Sequence, residues 1–288
     1  MAQSVLTQSL QRRLQQDCKQ GSLIMGVLNV TPDSFSDGGK FVGADSALEH
    51  AHTLIEQGAD IIDVGGESTR PGAEAVSVQQ ELDRVLPIVE LIQANHSSIP
   101  ISVDTSKPEV MQAAIDLGVA MINDVTALKG QGAKKIVADS RLPVCIMHMQ
   151  GQPRTMQAEP QYVDVVREVV DYLSNVADEC IATGIQREHI IVDPGIGFGK
   201  TLEHNLRLLG AIPAMKALGL PVLIGVSRKS MIDHLLQRPV EQRLPASLAL
   251  AAQAVINGAD IVRVHDVQAT FDAIRSVEAV MQFNVSDS

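Results

Sequence analysis

The sequence predicts an α/β fold, a single closed (β/α)8 barrel of the TIM type with an N-terminal helical extension, and three observations carry that reading. Eight short apolar runs recur along the chain, amphipathic stretches fill the gaps between them, and no shift of composition divides the 288 residues. A doubly wound parallel sheet is the alternative arrangement of the same units. Residues 1–20 read as a helix outside the repeat, a cap for the bottom of the barrel, and residues 21–288 as the barrel domain.

The first run, residues 23–28, is LIMGVL, continuous in apolar character as a strand buried on both faces must be. A helical pattern over 46–57 follows, with Ala, Leu and Ile recurring three and four apart. The second run, 61–64, is introduced by QGAD, whose glycine suits a helix end because a residue without a side chain turns left-handed at no steric cost. The same device, in LGVAMIND at 117–124 and NGADIVRV at 257–264, introduces the runs 120–122 and 261–264. Runs at 99–103, 144–147, 190–192 and 222–225 complete the eight, with helical patterns over 78–95, 163–182 and 247–256 among the connections.

Composition narrows the function. A net charge of −11 with no Lys/Arg cluster argues against nucleic acid as a partner, because a phosphate backbone demands a basic face. Small anionic ligands remain compatible, since a few convergent cations in a cleft act locally. Cys18, Cys145 and Cys180 show no paired spacing, which fits a reducing cytoplasm better than a disulfide framework or a zinc site. No export signal and no spanning apolar segment is found, so no membrane partner is expected.

In such a barrel the chemistry gathers on the loops after the C-terminal ends of the strands. Polar candidates follow the runs in order: Asn29, Thr69 with Arg70, Asp104, Asn123, His148, Asp193, Ser227 with Lys229, and Arg263 with His265. His148 is given no role. Arg263 and His265 are two apart on a strand and share a face, a pairing suited to a multiply charged phosphate. GIGFGKT at 195–201 is not a nucleotide-binding loop of the Walker type, because Pro194 stands where the first glycine is required.

The strings MGVLNVTPDSFSDGG (25–39), GGESTRPG (65–72), SVDTSKPEV (102–110), INDV (122–125), HMQGQPRTMQ (148–157), DPGIGFGK (193–200), GVSRKS (225–230) and RVHDV (263–267) are similar, in order, to the motifs of dihydropteroate synthases. The resemblance spans nearly the whole barrel. It implies a transferase of folate biosynthesis that joins (7,8-dihydropterin-6-yl)methyl diphosphate to 4-aminobenzoate and releases pyrophosphate, a sulfonamide target, cytoplasmic and homodimeric. Carried onto matching positions, it makes Asn29 a Mg2+ ligand and Thr69, Arg263 and His265 the other contacts to pyrophosphate. Asp104, Asn123, Asp193 and Lys229 would read the pterin edge, with Met147 and Phe198 against its faces. Phe35, Asp37, Arg70, Pro71 and Ser227 would receive the second substrate, and Asp37, Lys229 and Arg263 would act in catalysis.

The chemistry is consistent with those roles. An ionised carboxylate such as Asp193 accepts from an amino group and a ring N–H side by side. The expected mechanism is early departure of pyrophosphate, Mg2+-assisted, with no covalent enzyme intermediate. Gly38, Gly39, Gly65, Gly66 and Gly72 are expected to act as hinges for two closing loops. Three rivals differ in kind: a methyltetrahydrofolate-binding methyltransferase, which lacks the NVTPDSFSDGG and RVHDV strings, a Lys229 Schiff-base aldolase, and a non-catalytic pterin-binding paralogue. Pro245 departs from the family's usual Gly or Ala.

Overall fold

The computed structural model describes residues 2–15, 21–31, 40–68, 75–151, 156 and 159–284. Eight parallel strands form one sheet: β1 (Leu23–Asn29), β2 (Ile61–Gly65), β3 (Ile101–Asp104), β4 (Met121–Asp124), β5 (Val144–Met147), β6 (Ile190–Asp193), β7 (Leu223–Ile224) and β8 (Ile261–Val264). Their order, β6-β5-β4-β3-β2-β1-β8-β7, sets each strand beside its neighbours in sequence. The last strand returns to the first, with Met25 opposite Arg263, and an isolated parallel bridge between Val192 and Val222 joins the two ends of the row. An open doubly wound sheet has no such return, so the barrel is the correct reading.

The helices are α1 (Ala2–Gln15), α2 (Lys40–Glu56), α3 (Val78–Asn95), α4 (Pro108–Leu117), α5 (Ala133–Ser140), α6 (Val165–Thr183), α7 (Leu202–Gly210), α8 (Ile212–Lys216), α9 (Ser230–Leu236), α10 (Leu244–Ile256) and α11 (Val267–Asn284). Their ends have local causes. Ser77 and Gln80 form a reciprocal capping box at the start of α3, and Asp164 caps α6 by accepting from Val166 N and Arg167 N, which moves that helix two residues later than 163. Helix α10 begins at Leu244 rather than 247, and Pro245 occupies its first turn, where a missing N–H leaves no hydrogen bond unmade. Gly58, Gly118 and Gly258 each take left-handed φ values of 96°, 82° and 100° before β2, β4 and β8.

Strand limits differ from the apolar runs in an informative way. The third strand starts at Ile101, not 99, because Pro100 has no N–H to give the ladder, although its carbonyl accepts from Ile62 N at 3.1 Å. Pro143 and Pro221 stand in the same relation to β5 and β7, accepting from Ile122 N at 3.1 Å and Val192 N at 2.9 Å. At the other ends, β1, β3, β4 and β6 run on to include Asn29, Asp104, Asn123 with Asp124, and Asp193.

Side chains alternate across this wall. Outward positions such as Ile24, Ile62, Val103, Ile122, Ile146, Val192, Ile224 and Val262 pack against the helices. Inward positions near the strand starts, Leu23, Met25, Ile61, Met121, Cys145, Ile191, Leu223 and Ile261, make a separate apolar layer that also takes in Leu10 and Leu14 of α1. Helix α1 is held there by polar contacts too, Arg13 pairing with Asp60 at 2.6 Å and Gln11 lying 2.8 Å from His189. Met25, Ile61 and Met121 are fully buried in that layer, and truncating one of them to Ala would cost about 2–5 kcal/mol. The lower barrel is therefore filled, and a ligand can enter only from above.

Candidate active site

Further along most of the strands the inward positions turn polar. The sheet sets Val27 beside Asp63 and Asp63 beside Ser102, then Asn29, Gly65, Asp104 and Asn123 in successive pairs, with Met147 opposite Asp193 and Arg263 on β8. A period of two thus brings residues more than two hundred positions apart onto one inner surface. Ser227, Lys229 and His265 follow just beyond β7 and β8. Phe35, Asp37, Thr69, Arg70 and Pro71 lie outside the described residues.

At the centre is a residue that the sequence reading passed over. Asp63, fully buried, accepts through Oδ2 from Arg263 Nε at 2.6 Å and from Asn123 Nδ2 at 3.1 Å, while Arg263 Nη2 donates to Asp104 Oδ2 at 2.8 Å. Burial works against the Arg263 charge, but Asp63 and Asp104 outweigh it and hold the guanidinium above its ordinary value. Burial raises the Asp104 carboxyl, against the pull of Arg263. Asn123 and Arg263 are therefore already engaged through Asp63, and Asp104 through Arg263, and each meets a ligand only with the hydrogen-bonding capacity left over. Asp63 sits inside an apolar run, where its polarity was submerged; its parity with the inward Ile61 and Gly65 was the available signal.

The loop after β6 builds a second cluster. Gly195, Gly197 and Gly199 have left-handed φ values of 68°, 84° and 64°, and a Cβ on Gly195 would lie 1.9 Å from His148 O. Asp193 Oδ1 accepts from Gly195 N at 2.7 Å, and burial raises its carboxyl against the opposing charge of Lys229. Lys229, half-buried at the start of α9, donates to Ile196 O and lies 4.6 Å from the centroid of the Phe198 ring. Burial pushes its ammonium down to about 8, with Asp193 acting in the other direction. This lysine is no solvated helix-start residue. Lys200, left over from the rejected nucleotide-loop motif, is also buried and touches Phe198 O and His148.

Ser227 Oγ accepts from His265 N at 3.2 Å and lies 3.1 Å from its Nδ1, so this serine orients the histidine expected at the anion site. The hinge expectation is corrected at Gly65 and Gly66. Gly65 belongs to β2 and accepts from Val30 N at 2.9 Å, and a Cβ on Gly66 would lie 2.7 Å from Val85 Cγ2. Arg84 fixes Gly66 O at 2.9 Å, and Lys107 bridges Glu67 and Glu81 just below. Close packing requires the glycine at 66, while Gly65 is fixed by the sheet ladder, where a Cβ would meet only ordinary contacts.

Among the described residues no group of three His, Cys, Asp or Glu is placed to hold a metal ion. Asn29 fits a weaker demand. Its amide oxygen ends β1 within 3.8 Å of the position a Gly65 Cβ would take, at a point where glycine leaves room. One neutral oxygen suits a hard cation that takes its remaining ligands from a diphosphate and water.

A barrel with a filled base and a ring of carboxylates, amides and cations at its upper end defines a small-molecule enzyme. Residues 25–265 match the pterin binding enzyme family, and the chain belongs to it. Within that family its relatives are dihydropteroate synthases, transferases of a pterinylmethyl group. The Escherichia coli enzyme is 51% identical over 258 residues, covering 90% of this chain and 91% of that one. The Yersinia pestis synthase, solved with a sulfonamide drug complex, is 47% identical with a TM-score of 0.86, covering 91% and 94%. The Xanthomonas albilineans synthase in complex with 7,8-dihydropteroate is 44% identical with a TM-score of 0.82, covering 90% and 94%. Among the described residues no helix is long and apolar enough to cross a membrane.

Proposed function

We propose that the protein condenses (7,8-dihydropterin-6-yl)methyl diphosphate with 4-aminobenzoate, forming 7,8-dihydropteroate and pyrophosphate. The observation that carries this reading is Asp193, a carboxylate sunk at the rim with one oxygen held by Gly195 N–H, paired in the sheet with Met147 and close to the charge of Lys229, whose ammonium lies over the Phe198 ring. It matches the adjacent amino and ring N–H donors of a pterin edge, while the fixed oxygen sets the angle of the carboxylate. Asn123 and Asp104 face the same space from β4 and β3.

In the proposed reaction the bond from the pterin CH2 to the diphosphate oxygen breaks, a bond from that carbon to the aryl nitrogen forms, and the amine loses a proton. Pyrophosphate carries away the electron pair. Arg263, held flat by two carboxylates, and His265, oriented by Ser227, stand on one face of the β8 end and receive the charge that develops there. Asn29 would hold Mg2+ against the diphosphate, adding Lewis-acid stabilisation of the leaving group. Thr69 completes the anion contacts in this reading, and Phe35, Asp37, Arg70, Pro71 and Ser227 receive the amine. Sulfonamides resemble that amine and would compete for its place. A cytoplasmic location and a homodimeric assembly are carried over from the family.

The test is a coupled assay of pyrophosphate release from the pterin diphosphate with and without 4-aminobenzoate. Release that depends on the amine and yields dihydropteroate supports the synthase. Methyl transfer from a folate without pyrophosphate release would point to the methyltransferase instead.

A further inference from the structure

Lys200 is 3% exposed and forms no ion pair among the described residues. Its ammonium lies 2.9 Å from Phe198 O, 3.3 Å from His148 O and 3.0 Å from His148 Nδ1. Three donors thus meet three acceptors, which is the condition for burying a cation without a carboxylate. Burial pushes the ammonium down to about 7, against the pull of Asp193. It also pushes the His148 imidazole down to about 3, which leaves that ring neutral with a lone pair available to the lysine.

The acceptors belong to two loops. Phe198 rides on the loop after β6, and His148 directly follows Met147, the last residue of β5. These loops touch backbone to backbone, since a Cβ on Gly199 would lie 2.3 Å from Gln150 O and one on Gly195 would lie 1.9 Å from His148 O. Tyr162 Oη holds Gly199 O at 2.8 Å from the outer side, and the His148 ring meets Tyr172 edge-on at 4.8 Å. The Lys200 ammonium closes this junction from within.

We propose that Lys200 is a positioning residue for the pterin ring: by tying Phe198 O to the backbone and imidazole of His148, it holds Phe198 and Met147, the two walls of the ring pocket, in register. The proposal rests on the assignment of those walls and of Asp193 to the pterin. Lys200 touches neither substrate; it acts through Phe198.

Lys200→Met keeps the length of the side chain and removes all three donors. The readouts are kcat, the KM of each substrate varied in turn, and pterin binding followed by its fluorescence. The expected result is a rise of at least about tenfold in the pterin KM and dissociation constant, the loss of charged hydrogen bonds being of that size or larger. The KM for 4-aminobenzoate at saturating pterin should move less than about twofold, and Lys200→Gln, with two N–H donors, should recover part of the pterin affinity. An unchanged pterin KM overturns the proposal, as does a fall in activity with both KM values moving together. Failure of both variants to fold also overturns it, because the lysine would then serve the fold and not the ring. Asp193→Asn, run in parallel, separates the two ideas. If it weakens pterin binding and Lys200→Met does not, the Lys200 proposal alone fails; if neither does, the pterin assignment fails and takes the proposal with it.

Discussion

Replacing Asp63 by Asn tests the claim that this residue organises the upper barrel. The substitution keeps the volume and removes the charge. Asp63 Oδ2 accepts from two donors, Arg263 Nε at 2.6 Å and Asn123 Nδ2 at 3.1 Å, and the amide can satisfy both only through its single oxygen. Each hydrogen bond to a charged group is worth about 1.5–3 kcal/mol, and a neutral replacement recovers about 1 kcal/mol of it. Loss of one partner of a buried ion pair costs about 3–5 kcal/mol when the other charge is stranded, but here Asp104 still holds Arg263 Nη2. The expected destabilisation is therefore about 2–3 kcal/mol. With a urea slope of about 3 kcal/mol/M for a chain of this size, the midpoint should fall by roughly 1 M. Pyrophosphate release should decline as well, because Arg263 loses the group that fixes its plane. A midpoint within about 0.2 M of the parent would refute the reasoning and reduce Asp63 to a bystander.

Four further outcomes are expected. Asp193→Asn presents a donor to a donor and should weaken pterin affinity by roughly 2–4 kcal/mol in calorimetric titration; equal affinity would remove Asp193 from the pterin site. Borohydride reduction with substrate present should trap no adduct on Lys229, since that side chain serves as a hydrogen-bond donor; a trapped adduct would favour the aldolase. His148, held at about 3 in the fold against an ordinary 6.5, binds fewer protons folded than unfolded between those values. Its contribution is therefore intact above the unfolded value and lost as pH falls toward the folded one. Between pH 7 and 4 the parent should lose about 3 kcal/mol more stability than His148→Gln, and parallel urea midpoints would contradict this. Finally, 4-aminobenzoate should bind at least about tenfold more tightly with Mg2+ and pyrophosphate present than alone; equal affinity would show a preformed amine pocket.

The barrel was legible because parallel strands buried on both faces leave continuous apolar runs, and because QGAD, LGVA and NGAD mark the turns before three of them. Strand ends were less legible. Asp104, Asn123 and Asp193 look like loop residues by type, yet they lie within the upper ends of their strands, since inward positions there face a cleft and not the core. Arg263 was found through its motif, whereas its partner Asp63 carries no local signal beyond parity, and a contact between residues two hundred positions apart is set by barrel closure alone. Lys200 was overlooked for a related reason. Its segment was weighed as a phosphate loop and as one of the family strings, neither of which gave the lysine a role, and its acceptors, two of them main-chain carbonyls, are invisible to any pattern of side chains.

The closure of the ring has a consequence for ligand binding. The first and last strands of the row meet through the single Val192–Val222 bridge, a seam with fewer hydrogen bonds than the ladders on either side. Asp193 stands at the upper end of one lip, and the chain leaving the other lip leads within a few residues to Lys229. In the proposed pterin site, a pterin held by both side chains would span the seam like a staple and supply across it the cohesion that the backbone lacks. Whatever free energy it gains there is added to the stability of the barrel, rising with ligand concentration as RT ln(1 + [L]/Kd). Amide exchange at Val192 and Leu223 is where that tightening should register first.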